Sequence, residues 1–200
     1  MESFSLSDMQ KSALEEAGNR GSSQAAVAIS QMINYPVEVS LTKTKVMNYE
    51  DFEKKVSTQT EPVICTYLEV FGEIKGFFFF IFEKKVVLQL VDILMKRKPG
   101  ETVFLGDIEQ STLKEVMSIL SGAYLNSLGR LLKTALLTSV PHIILEKFDQ
   151  IPKIIKEKLQ TNLLICIETE LDQSLIKING DFIFMPSKES VEKLLNVLTK

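Results

Sequence analysis

Histidine and cysteine are nearly absent from this chain, which has one of the first and two of the second in 200 residues. That is too few for a zinc site of the usual ligand density. Cys65 and Cys166 each sit in an apolar run, PVICTYLEV and LLICIETEL, and read as buried free thiols of a reducing compartment. An excess of positive charge is also missing. Lys plus Arg number 23 against 26 Asp plus Glu, for a net charge of -3, which gives a nucleic-acid partner little support. No long hydrophobic run exists. The most apolar stretch, GFFFFIF, is far too short to span a bilayer, and the N-terminal MESFSLSDMQ lacks the basic-then-apolar order of a secretory leader. A cytoplasmic protein without membrane insertion is expected. There is no glycine-rich phosphate loop and no dinucleotide fingerprint. The single histidine, His142, follows Pro141 in a strand with no nucleophile spaced to match it, and reads as structural or exposed.

What is present is an ordinary globular composition, 45% hydrophobic and 24% charged, with an internal repeat. Leu6 to Asn34 carries the period of a long helix, with Leu14, Ala17, Gly21, Ala25, Ala28 and Met32 on its apolar side, Ser5 or Ser7 as cap, and Asn34 and Pro36 as its end. A strand, PVEVSLT, and a polar excursion with a short helical turn follow. PVICTYLEVF and GFFFFIF then read as strands, and Glu83 to Arg97 as a helix. Continuous apolarity at Phe77–Phe80 fits a strand covered on both faces. After the Lys98-Pro99-Gly100 break the order recurs: a long helix over 108–133, a strand over 140–146, a short helix over 150–158, strands LLICIETEL and INGDFIFMP, and a closing helix over 187–198. An offset of 99 places Ser12 on Ser111 and Glu16 on Glu115, and an offset near 104 places Gly76 on Gly180. One α+β domain over 1–200 is expected, made of half-domains at about 6–97 and 105–198. Their strands should join in one mostly antiparallel sheet with helices on one side, the two long ones side by side across it.

Each long helix carries a polar row opposite its apolar stripe. On the first it is Ser12, Glu16, Asn19 and Ser23; on the second, Ser111, Glu115, Ser118 and Gly122. Such rows are ordinarily solvated surface. Asparagine has no acid or base chemistry at neutral pH, but its amide can hold a water through two hydrogen bonds. That suits attack on an already activated electrophile such as an acyl phosphate, where positioning limits the rate. GTPases use a glutamine amide for a related purpose. Glu16 has no companion carboxylate or histidine on its face to bind a metal, and is suited to pairing with a partner's lysine. Arg20 and Asn126 lie at the edges of the two faces.

These residues resemble the CheC family of chemotaxis phosphatases, of the CheC, CheX and FliY types. The family pattern is Asp or Ser, three residues, Glu, two residues, Asn, about twenty-two residues, then Pro. Ser12, Glu16 and Asn19 match it in the first half, with Thr42 at the proline place; Ser111, Glu115 and Pro141 match in the second, with Ser118 at the asparagine place. LEEAGNRGSSQAAVAISQMI, LKEVMSILSGAYLNSLGRLL, GEIKGFFFF and INGDFIFMP extend the similarity over almost the whole chain. The resemblance implies a CheC-like pseudo-two-fold duplicated fold and hydrolysis of the aspartyl phosphate of the response regulator CheY. Glu16 would pair with a regulator lysine and Asn19 would orient the attacking water. Ser12, Ser23, Arg20 and Ser111 would lie in the partner contact, and Glu115 with Ser118 would form a degenerate second site. No cofactor of its own is implied, since Mg2+ belongs to the regulator. The deamidase CheD and the flagellar switch are further partners implied, and a monomer or weak dimer is expected. The alternative is a non-enzymatic adaptor binding CheD, a regulator or the switch.

Overall fold

A computed structural model describes residues 6–57, 61–144, 162–173 and 176–198. Chain order runs α1 (Asp8–Ile33), β1 (Glu38–Met47), α2 (Tyr49–Ser57), β2 (Val63–Gly72), β3 (Gly76–Glu83), α3 (Lys84–Leu94), α4 (Asp107–Leu132), β4 (Leu136–Thr138), β5 (His142–Ile144), β6 (Leu164–Gln173), β7 (Ile176–Pro186) and α5 (Lys188–Val197). All strands join one antiparallel sheet in the order β1-β6-β7-β3-β2-β4, with β5 also on β2. The helix expected over 150–158 lies outside the described residues.

Exchanging the two halves reverses this strand order onto itself. The central pair β3 and β7 shows the pseudo-two-fold residue by residue: Phe78 faces Phe184, Phe80 faces Phe182, and Gly76 and Gly180 face Pro186 and Phe82. Their rings alternate between edge-on and tilted contacts at the centre of the core, with Phe78–Phe80 and Phe80–Phe182 centroids both 5.1 Å apart. The long helices obey the same symmetry. Each has 26 residues; they begin after Ser7 and Gly106 and end on Asn34 and Lys133, all equivalent at the offset of 99. Both C-caps adopt the left-handed conformation (φ 57° and 53°), which frees the last carbonyls to be bonded by the turning chain.

Alternation assigns the two faces of the sheet. Phe78, Phe80, Phe82, Ile165, Ile167, Phe182 and Phe184 face α1, α3, α4 and α5 in the main core. Phe79, Ile81, Cys65, Leu164, Cys166, Ile183 and Met185 face the other way, against Tyr49 and Phe52 of α2. The sheet is therefore covered on both faces, as the Phe77–Phe80 run implied, and the expectation of helices on one side alone is corrected by α2.

Two strand boundaries also differ from the sequence reading, each for a local reason. β1 continues through the polar KTKVM because among the described residues it is an edge strand paired only to β6, where charged residues are tolerated and Lys45 reaches Glu168 at 2.9 Å. Its counterpart in the second half is split into β4 and β5 around Pro141, which has no N–H to give a ladder; both pieces pair with β2.

Candidate functional site

α1 is fixed at its start by a capping box. Ser7 Oγ accepts from the Gln10 N–H, Gln10 Oε1 accepts from the Ser7 N–H, and Gln10 Nε2 donates to the Leu195 carbonyl of α5. Further along, small residues bring the helix down onto its neighbours. A Cβ on Gly18 would overlap Thr44 Oγ1 of β1, and one on Gly21 would lie 2.6 Å from the Tyr124 ring of α4. Ser127 Oγ donates to the Ala17 carbonyl across the helix pair, and Ser22, Tyr124 and Thr169 close a buried ring of hydroxyls at 2.9–3.1 Å. Burial pushes the Tyr124 phenol up to about 12, so it stays a neutral hydrogen-bonding group.

With that side held down, the opposite row faces solvent. Ser12, Glu16, Asn19 and Ser23 are all exposed, as are Ser111, Glu115 and Ser118 on α4. From Ser12 to Ser23 the row runs about 16 Å along the helix axis. The Asn19 side-chain amide has no hydrogen-bond partner among the described residues, while its backbone carbonyl also accepts from Ser23 Oγ at 2.9 Å. The Ser23 hydroxyl is thereby turned back onto its own helix.

Glu16 is not free. Its carboxylate accepts from Arg20 Nη2 one turn on, in a pair whose members are 64% and 62% exposed. An exposed i,i+4 pair contributes only about 0.3–0.5 kcal/mol, so a partner can displace it. The spacing was visible in the sequence; the pairing was not drawn from it. α4 has no equivalent, because Ile119 stands where Arg20 does, and Glu115 has no ion-pair partner among the described residues. One turn before each row stands an exposed apolar side chain, Met9 (68%) and Ile108 (65%), again at the same offset. Asn126 is exposed, as is His142, which stacks on Tyr67 with centroids 5.1 Å apart.

A second polar cluster, missed by sequence reasoning, lies on the other face of the sheet. Glu168 and Asp181 are direct cross-strand neighbours, and Lys55 of α2 reaches both at 2.8 Å while Lys45 also holds Glu168. Burial alone would raise Glu168, but its bonds from Lys55 and Lys45 hold it below the usual carboxylate range. Lys55 is shifted the other way: burial lowers it, and the Cys166, Asp181 and Glu168 groups around it more than reverse that. The ligand atoms of Cys166, Glu168 and Asp181 lie within 4.8 Å of one another, a spacing that would suit a cation. The Lys55 ammonium already occupies that role, and burial raises the Cys166 thiol to about 12, so it offers no thiolate at neutral pH. Only pairing across strands and the docking of α2 create this group, and no local sequence signal marks it.

No protein-family model matches the chain. The CheY-P phosphatase CheC of Bacillus subtilis (strain 168) is 27% identical over 202 residues, covering 96% of this chain and 95% of that protein. The crystal structure of Thermotoga maritima FliY superposes with a TM-score of 0.75 at 21% identity, over 98% of both chains. The FliM middle domain from H. pylori superposes with a TM-score of 0.73 at 13% identity, over 96% of this chain and 99% of that one. At such identities the two structural likenesses speak for the fold. Among the described residues, no helix is long and apolar enough to cross a membrane.

Proposed function

From its similarity to the CheY-P phosphatase CheC over nearly its full length, we propose that the chain hydrolyses the aspartyl phosphate of a CheY-type response regulator. The observation that carries this reading is the Asn19 amide, exposed and unengaged, one turn from the Glu16 carboxylate on the uncovered face of α1. Glu16 docks on a lysine of the regulator through the carboxylate oxygen that Arg20 leaves open, its other oxygen staying with Arg20. Asn19 then enters the phosphorylated pocket, with its carbonyl oxygen and amide group fixing a water in line with the acyl-phosphate bond. Water oxygen bonds to phosphorus, the bond from phosphorus to the aspartyl oxygen breaks, the water's protons remain on the oxygens of the departing inorganic phosphate, and the aspartyl carboxylate stays on the regulator. The aspartate is a good leaving group and departs unprotonated, so no general acid or base is needed from this chain. The magnesium ion of such a pocket belongs to the regulator. Ser12 and Ser23 lie at the two ends of the contact.

The test is phosphate release from purified phospho-CheY. Asn19→Ala should remove the acceleration, a loss of about 100-fold or more, while leaving binding nearly intact. Glu16→Ala should act chiefly on binding. Release no faster than the regulator's own decay with the wild-type chain would sink the reading.

A second reading, an adaptor for CheD, a regulator or the flagellar switch, is favoured by one observation. α4 presents the exposed Ser111 and Glu115 without an amide at Ser118. Its signature is binding at the α4 face without phosphate release.

A further inference from the structure

We propose that Arg20 reads the phosphoryl group: in the docked complex its guanidinium bridges Glu16 and the phosphoryl oxygens, so that the α1 face prefers the phosphorylated regulator to the unphosphorylated one. This rests on the phosphatase reading above and deepens it.

Docking sets up an electrostatic conflict. Asn19 and Glu16 are three residues apart on one helix face, so their Cβ atoms are separated by about 5–6 Å. A water-steadying amide at Asn19 brings a multiply charged phosphoryl group to the helix face that carries this carboxylate. The chain carries no excess of positive charge to relieve the repulsion, its net charge being -3. The regulator's lysine and magnesium ion answer part of that repulsion, a cation on this chain's own face would answer more, and the structure has one in place. The Arg20 side chain turns back along the helix to give Nη2 to Glu16 Oε1, which carries its charge from the flank onto the Glu16–Asn19 face.

Arginine suits the task for a geometric reason. Its planar fork has five N–H donors, and only Nη2 is engaged among the described residues, so the rest stay available to a second anion. A lysine at this place would offer one point of charge to be divided between carboxylate and phosphoryl. The pairing of cation with amide is also selective within the molecule. At the equivalent place on α4, where Ser118 replaces the amide, Ile119 replaces the arginine.

The experiment titrates the free and beryllofluoride-loaded forms of the CheY-type regulator against the wild-type chain, Arg20→Ile and Arg20→Lys. Arg20 is 62% exposed, and unchanged melting curves check that the variants fold. In Arg20→Ile the preference for the loaded form should fall about tenfold, the loss of one charge-assisted contact, with affinity for the free form unchanged. Arg20→Lys should fall between. A ratio unchanged in Arg20→Ile means that the residue serves the helix alone, and tighter binding of both forms means that it only restrains Glu16; either overturns the proposal. So does a wild-type chain with no preference for the loaded form. Asn19→Ala separates this from the catalytic reading: turnover lost with the preference intact supports both, while full turnover in Asn19→Ala removes the catalytic role and leaves the Arg20 preference standing.

Discussion

Replacing Gly18 by alanine tests how closely α1 must lie on the sheet for Asn19 to be usable. The new methyl overlaps Thr44 Oγ1, while Thr44 Cβ at 3.7 Å and Ile167 Cγ2 at 3.5 Å are in ordinary contact. The helix or the threonine must therefore give by about 1 Å. Two terms oppose each other. Alanine gains about 1 kcal/mol over glycine inside a helix, and overpacking costs about 1–3 kcal/mol. Gly18→Ala alone should fall between neutral and about 2 kcal/mol destabilised. Because only one oxygen is responsible, Thr44→Ala should relieve the clash. That oxygen is buried without a hydrogen-bond partner, so its removal strands nothing. The double variant should then exceed wild type by up to about 1 kcal/mol, with a coupling energy of about 1–3 kcal/mol between the sites. For a chain of this size that separates Gly18→Ala from the double variant by about 2–12 °C in melting temperature. Phosphate release provides the second reading. A shift of about 1 Å at the neighbouring Asn19 should slow stimulated hydrolysis about 100-fold in Gly18→Ala, and the double variant should recover most of it. A Gly18→Ala protein as stable as propensity alone dictates, with no coupling to Thr44→Ala, would refute the packing argument.

Two further outcomes follow from the site and the sheet. In an Asn19→Ala background, Ser118→Asn should restore phosphate release to about 1–10% of wild type, since the α4 row supplies Glu115 and an amide but no cation beside it; no recovery at all would mean that α4 does not dock the regulator. Lys55→Met should cost about 1–3 kcal/mol, because it leaves Glu168 and Asp181 as facing carboxylates with Lys45 alone, and it should change the pH dependence of unfolding in urea. In the wild type the folded-state depression of Glu168 gives stability that is complete above the ordinary carboxylate range and drains only as pH falls through the lowered value. Lys55, shifted upward, contributes fully below the ordinary lysine range and loses that contribution as pH rises from there to its raised value. Stability should therefore be flat from pH 8 to 5. In the variant Glu168 loses the Lys55 bond that lowers it and faces a second carboxylate, so acid should destabilise the variant less than the wild type, and parallel pH curves for the two proteins would contradict this assignment.

The long helices were legible because their burial pattern is periodic and their ends carry local signals, serine at one start and a left-handed asparagine at one end. The duplication was legible for the same reason, and the phenylalanine-rich strand told correctly of two covered faces. What escaped depended on partners distant in sequence. The polar half of β1 reads as a loop until β6 is placed beside it. The break between β4 and β5 follows from Pro141 only once β2 is known to lie alongside. α2 reaches the second face through Tyr49 and Phe52, and its Lys55 meets Glu168 and Asp181 only after β6 and β7 are in register. At the candidate site the exposed row was legible and its internal pairing was not, since i,i+4 spacing permits the Glu16–Arg20 bond without requiring it.

One turn of helix carries the divergence between the halves that bears on hydrolysis. Cap positions, lengths and exposed apolar shoulders agree between α1 and α4, yet Gly18, Asn19 and Arg20 stand opposite Met117, Ser118 and Ile119. Gly18 lets α1 touch the sheet directly, whereas Met117 is wholly buried and puts a long side chain where α1 has none. The same turn thus differs in how its helix is seated, in the group that would steady water and in the cation beside it. Ser111, Glu115 and Ile108 remain exposed on α4, so that face keeps what a docking surface needs and lacks what hydrolysis needs. If both faces take up the same regulator, the α4 face should hold it without discharging it, and raising the regulator concentration should fill two sites while phosphate release follows only one.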